Sequence, residues 1–97
     1  MSDVEVRNNP QENRYEAWLE GGLAGFAEYR LKADLITFTH TEVDDAFEGR
    51  GVGSALARGA LDDVRADGSR QVRPLCPFIA AWIDKHPDYR DLVSVAA

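Results

Sequence analysis

The chain has 97 residues, 44% of them hydrophobic, enough for one core but not two, so a single domain over 1–97 with loose ends at about 1–3 and 94–97 is expected. Its formal charge of −6 opposes the phosphate neutralisation that nucleic-acid binding needs, and no window nears the roughly 18 consecutive apolar residues of a membrane span, so neither partner is expected. Met1-Ser2-Asp3-Val4 lacks the basic-then-apolar pattern of an export signal, which points to the cytoplasm, and the lone Cys76 allows no internal disulfide and no cysteine-rich metal site.

Val4 to Asn8 is a candidate first strand. From Asn13 to Glu20, the residues Tyr15, Ala17 and Leu19 alternate with Arg14, Glu16, Trp18 and Glu20, the period of a half-buried strand. Gly21-Gly22 reads as a hairpin turn, and Leu23 to Lys32 continues the alternation through Gly25, Ala27, Tyr29 and Leu31. A third β-rich run, Leu35 to Val43, follows the polar step Ala33-Asp34, so the simplest expectation is a three-stranded antiparallel meander. The spacing then turns helical, because Val52, Ala55, Leu56, Gly59, Ala60 and Val64 share one side of a helix from about Gly51 to Asp67, with Gly68 placed to stop it. Gln71 to Cys76 is a short strand that should pair in parallel with the strand before the helix. Pro77 opens a final helix whose stripe takes in Phe78, Ala81 and Trp82, and Pro87 marks its end. The expected fold is α/β (α+β), a mixed, mainly antiparallel sheet of about four to five strands with two main helices in the order β-β-β-α-β-α.

Glu48-Gly49-Arg50-Gly51-Val52-Gly53-Ser54-Ala55 lies between the third β-rich run and the first helix, where a bound anion meets unpaired backbone N–H groups and the positive end of the helix dipole. Glycines let the backbone approach a diphosphate closely, and successive amides can hold it without a lysine. The plainer reading is a flexible loop entering a helix. The Lys-Ser/Thr pair of the nucleotide-hydrolase loop is missing, and no second βαβ half exists for a dinucleotide. The segment resembles the coenzyme A loop of the GNAT acetyltransferases, whose pattern Arg/Gln-x-x-Gly-x-Gly/Ala is matched by Arg50, Gly53 and Ala55. That resemblance implies that the amides of Gly51, Val52, Gly53, Ser54 and Ala55 contact the pyrophosphate of acetyl-coenzyme A. It also implies that the backbone at Glu42 and Val43 pairs with the pantetheine arm, and that Arg50 holds the loop or the phosphate. The likeness extends to the very small GNAT-like group that includes the N-acetyltransferase domain-containing proteins, through His40-Thr41-Glu42-Val43, Pro74-Leu75-Cys76-Pro77-Phe78 and His86-Pro87-Asp88-Tyr89. One departure is size: the first strands leave no room for the helices that ordinarily wall the acceptor site in this family.

Acetyl transfer from a thioester needs a neutral amine, a polarised carbonyl and a proton for the departing thiolate. Cys76 precedes the helix opened by Pro77, where the dipole favours negative charge and Arg73 could add a positive one. It is a candidate to carry the acetyl group or to protonate the thiolate, a role the resemblance also implies; the alternative is a buried, inert cysteine. His40 and Glu42, two apart on a strand, are expected on one side together with Ile36 and Phe38, as a base and its orienting partner, or else as a strand-end histidine bonded to a nearby loop. Tyr89 follows the last helix, where the resemblance implies a proton donor to the thiolate; the alternative is a ring packed on the sheet with its hydroxyl in solvent. Trp82 and Phe78 are expected in the core and His86 as a helix-ending residue. Asp44, Asp45 and Glu48 form an acidic run that is ordinarily solvated and less often draws a cationic acceptor, and no metal is expected. The function implied is N-acetyl transfer from acetyl-coenzyme A to a small amine or basic peptide acceptor. The alternative is a non-catalytic acyl-coenzyme A binding or protein-interaction module.

Overall fold

Four strands, Glu5–Asn9 (β1), Arg14–Leu19 (β2), Gly22–Lys32 (β3) and Leu35–Val43 (β4), pair antiparallel in chain order. The helix Val52–Asp67 (α1) then crosses over the sheet, and Gln71–Pro74 (β5) joins β4 in parallel to complete the order β1-β2-β3-β4-β5. A second helix, Pro77–Lys85 (α2), and short 3-10 turns at Asp45–Phe47 and Pro87–Leu92 complete this computed structural model, which describes residues 3–94. The expected loose ends fall largely on residues 1–2 and 95–97, outside those described.

The candidate strand near the start is present, so the meander has four strands, with Arg7 opposite Glu16 and Asn9 opposite Arg14. The hairpin between β2 and β3 turns one residue earlier than the paired glycines suggest. Leu19 pairs with Gly22, and Glu20 (φ 52°) and Gly21 (φ 78°) form the turn in the left-handed conformation that matches strand twist. The last strand stops at Pro74, which has no N–H to extend the ladder, although the Cys76 N–H still donates to the Phe38 carbonyl.

α1 ends where Gly68 takes φ 74° and donates its N–H to the Val64 carbonyl. Its buried stripe is Val52, Leu56, Ala57, Ala60, Leu61 and Val64, while Ala55 and Gly59 are half-buried at its edge. α2 departs further from expectation: it buries Ile79, Trp82 and Ile83 and leaves Ala81 and Phe78 exposed, Phe78 by 42%. Pro77 sets the start of α2 so that Phe78 turns back onto the first turn of α1, where its ring is 2.9 Å from where a Cβ on Gly53 would be.

Both helices cover the same face of the sheet, and their buried residues join Tyr15, Ala17, Ala27, Tyr29, Phe38 and Val72 in one cluster. Phe38, Leu56, Leu61 and Ile79 are fully buried, each worth about 1.5–3 kcal/mol in removed apolar surface. The other face carries Arg14, Glu16, Trp18, Phe26 and Glu28. There Glu16 accepts from Asn9 Nδ2 (3.0 Å), Arg14 Nε (2.8 Å) and Trp18 Nε1 (3.2 Å), and the Arg14 guanidinium lies 4.8 Å from the Phe26 ring centroid.

The pairing of β3 with β4 slips by one residue, since Tyr29 faces Phe38 while Glu28 faces His40, leaving Thr39 as an inserted bulge. An extra residue reverses the alternation. Ile36 and Phe38 point into the core, but His40 and Glu42 emerge on the opposite face and Thr41 and Val43 take the inner positions. The expectation that His40 and Glu42 share a side with Ile36 and Phe38 is therefore corrected by this bulge. Among the described residues no helix is long and apolar enough to cross a membrane.

Candidate functional site

The glycine loop enters α1 with its backbone amides uncapped. Gly49 (φ 80°) and Gly51 (φ 76°) adopt the left-handed conformation, and Gly51 is the N-cap of α1 with no side chain capping the helix. The first-turn amides at Val52, Gly53 and Ser54 therefore have no partner among the described residues, whereas the Ala55 N–H already donates to the Gly51 carbonyl at 3.1 Å. No acidic side chain lies in that first turn to compete with an incoming anion. Arg50 is turned away from the amides: its Nη2 donates to Glu20 Oε2 at 2.9 Å, pinning the loop to the β2–β3 hairpin. Asp44 caps the preceding 3-10 turn by accepting from the Ala46 N–H.

Beside this loop the sheet opens. β4 and β5 pair only from Leu35↔Gln71 to Phe38↔Pro74, so beyond Phe38 the edge from Thr39 to Val43 has no β5 partner. The bulge at Thr39 bends β4 at the point of separation. At the apex sits Cys76, 3% exposed, its Sγ 3.3 Å from the Thr41 Oγ1, which the bulge has turned inward. The starts of α1 and α2 meet across the same opening through Gly53 and Phe78. Free amides, a free strand edge and a thiol with a hydroxyl neighbour thus converge within a few residues. Such a set can hold a diphosphate at one end, an extended amide-bearing chain along β4, and a reacting thioester at the other.

The remaining expected residues are divided between the two faces. His40 Nε2 lies 3.1 Å from Glu42 Oε2, forming the expected couple, but on the outer face, with both side chains more than half exposed. Arg73 is also on that face, away from Cys76. Tyr89 is buried among α1 and α2. Its hydroxyl donates to Asp62 Oδ1 (2.7 Å) and accepts from Arg58 Nη1 (3.2 Å), so it is not in solvent. The bond to Asp62, with burial added, holds the Tyr89 phenol above its ordinary value. Trp82 is in the core, as expected, and its Nε1 donates to Ser54 Oγ (3.0 Å) in the first turn of α1. His86 caps α2, stacks on Trp82 with ring centroids 3.7 Å apart, and bonds the Trp82 carbonyl through Nδ1 at 2.7 Å. Thr41 escaped the sequence reading because only the bulge brings it to Cys76. No three His, Cys, Asp or Glu side chains converge among the described residues.

Comparison with known proteins agrees with this architecture. The chain is 36% identical over 53 residues to Protein NATD1 of Bos taurus and 34% identical over 53 residues to Protein NATD1 of Homo sapiens, in each case 55% of this chain. It spans about half the length of these curated relatives, the matched part being 46% of each. The solution structure of a GCN5-like protein from Staphylococcus aureus superposes with a TM-score of 0.70 at 25% identity, covering 97% of this chain and 91% of the other. The ribosomal-protein-alanine N-acetyltransferase of Brucella melitensis biovar Abortus 2308 shares the fold, with a TM-score of 0.59 at 18% identity over 87% of this chain and 62% of that one. The family described as GCN5-related N-acetyl-transferase matches residues 14–92, which span β2 through the final 3-10 turn and contain the whole opening between β4 and β5, and to that family the chain belongs.

Proposed function

We propose that this protein transfers an acetyl group from acetyl-coenzyme A to an amine. The observation that carries the reading is the separation of β4 from β5 beyond Phe38, directly beside the uncapped first turn of α1. The amides of Gly51, Val52, Gly53 and Ser54 would take the pyrophosphate, and the β4 edge around Glu42 and Val43 would pair with the amides of the pantetheine arm. Ala55 supports the loop through its internal bond and Arg50 through Glu20. The thioester then lies toward Cys76.

Two routes use the same thiol. In one, the Cys76 sulfur attacks the acetyl carbonyl, coenzyme A leaves as its thiol with the Cys76 proton, and the amine then displaces the cysteine sulfur. In the other, the amine attacks directly and Cys76 gives its proton to the departing thiolate, with Thr41 as its hydrogen-bond neighbour. In both, the amine arrives from the outer face, where His40, oriented by Glu42, takes its proton. Tyr89 we assign to fastening the final turn onto α1 through Asp62 and Arg58.

Calorimetric titration with coenzyme A and acetyl-coenzyme A tests the reading. Saturable one-to-one binding is expected in the wild type. Gly53→Asp places a carboxylate on the free amides, where it suits the helix dipole, and its Cβ pushes the half-exposed Phe78 ring outward, so it should weaken binding at least about tenfold in a variant that circular dichroism shows to be folded. A folded wild type that binds neither ligand overturns the proposal. Intact mass after incubation with acetyl-coenzyme A separates the routes: an acetyl adduct lost in Cys76→Ala marks the covalent one, and an active enzyme without adduct marks the proton-donor one.

A further inference from the structure

The distribution of unpaired cations on the open face of the sheet identifies the acceptor more closely. Arg7, Arg14, Arg50, Arg65 and Arg70 each have a carboxylate within ion-pair distance; among the described residues Arg58, Lys85 and Arg90 have none but stand apart on α1, α2 and the final 3-10 turn, whereas Arg30, Lys32 and Arg73, also with none, fall together on the open face. These three line one groove of about 480 Å³ together with Thr37, Thr39 and Leu75. The register explains the clustering: Arg30 is opposite Thr37 and Thr37 is opposite Arg73, so the two guanidiniums stand in one row across β3, β4 and β5, with Lys32 one step further along β3.

Three adjacent cations without counter-ions repel one another, and in a chain of net charge −6 there is no general excess of positive charge to account for them. The carboxylates of the same face are engaged toward its other end, Glu16 with Arg14 and Glu42 with His40, while Glu28 is opposite Arg14 and His40. The groove also leads to the opening described above. Thr39 is the bulge residue at which β4 parts from β5, and Leu75, 56% exposed, immediately precedes Cys76.

We propose that this groove binds the carboxylates of the acceptor, so that the acetylated amine belongs to an acidic peptide or a carboxylate-bearing small amine, in place of a basic peptide. The inference rests on the acetyl-transfer reading for its chemistry, but the groove can be tested without turnover. Carboxylates seated on Arg30, Lys32 and Arg73 leave the amine to reach past Thr39 toward Cys76, with His40 on the same face to receive its proton.

Fluorescence anisotropy with a dye-labelled peptide of alternating glutamate and glycine, against its lysine counterpart, decides the matter. The glutamate peptide should bind about tenfold more tightly at low salt, as several exposed charge pairs predict, and the gap should close as salt is added. Arg30→Gln combined with Arg73→Gln should abolish the preference while coenzyme A affinity, measured by calorimetry, stays unchanged. Equal binding of the two peptides, preference for lysine, or a glutamate preference that survives the double substitution overturns the proposal. Displacement by free glutamate identifies a small carboxylate-bearing amine as the source, and displacement only by longer acidic peptides identifies a peptide; either supports carboxylate recognition. If the glutamate preference holds but coenzyme A does not bind, the donor reading fails and the groove remains an anion-docking surface.

Discussion

Glu16 shows how much a single side chain depends on its neighbours. Burial pushes its carboxyl upward, but hydrogen bonds from Asn9, Arg14 and Trp18 outweigh this and hold it below the usual carboxylate range. A carboxyl depressed in the folded state adds stability above its unfolded value of about 4.3, and loses it as pH falls through the lower folded value. Glu16→Gln should therefore lose about 1–3 kcal/mol at neutral pH and show a flatter acid limb than the wild type when urea midpoints are followed downward from pH about 7. Parallel limbs would dismiss this account. Ala33 makes a simpler case, since it sits at φ 54° in the turn between β3 and β4 and carries a Cβ that strains that conformation. Ala33→Gly should raise stability by about 1 kcal/mol, read as a higher denaturant midpoint, and a lower one would mean that the turn is held by something other than its backbone. Residue chemistry of this kind was only partly legible: the Tyr15, Ala17, Leu19 alternation marked Glu16 as outward-facing, but not that three donors would enclose it.

At the scale of elements, the packing of α1 on β1 sets two effects against each other. Gly59 in mid-helix lowers helix propensity by about 1 kcal/mol relative to alanine, yet an added Cβ would lie 2.7 Å from the Val6 Cβ. That atom is fixed to the backbone of β1, so relief requires moving the strand, and overpacking of this kind costs about 1–3 kcal/mol. Gly59→Ala should therefore be net destabilising in thermal unfolding, and a rise in melting temperature would show that β1 yields freely. The elements themselves were largely visible, because alternation, a turn glycine, Gly68 at φ 74° and Pro77 at the first helical position are local signals. What escaped was orientation. Phe78 and Trp82 are four apart and so read as one face, but α2 is only nine residues long and its burial is decided by Ile79 and Ile83 meeting the sheet, which turns Phe78 onto Gly53. The bulge at Thr39 left no trace either, since no glycine or proline marks it.

For the molecule as a whole, all three tyrosines have phenols shifted upward: Tyr15 by burial and its bond to Asp63, Tyr29 by burial, and Tyr89 by its bond to Asp62 and burial. A group raised in the folded state contributes fully below its unfolded value and loses that contribution as pH climbs, here because the unfolded chain sheds phenolic protons near pH 10 while the folded one retains them. Stability should thus fall steeply above about pH 10, and Tyr15→Phe should soften the fall, checked by melting temperatures between about pH 8 and 11. An unchanged alkaline slope in that variant would assign the loss elsewhere. The amino-acid sequence by itself determined the succession of strands and helices, the uncapped glycine entry to α1 and the thiol ahead of α2, because each follows from backbone rules acting over a few neighbouring residues. Only the tertiary structure decided that β4 parts from β5 at Phe38, that Thr41 reaches Cys76 while His40 turns outward, and that Arg30, Lys32 and Arg73 share a groove. Those features depend on which strands become neighbours and on a one-residue slip in their register, and pairings between residues far apart in the chain leave no local pattern to read.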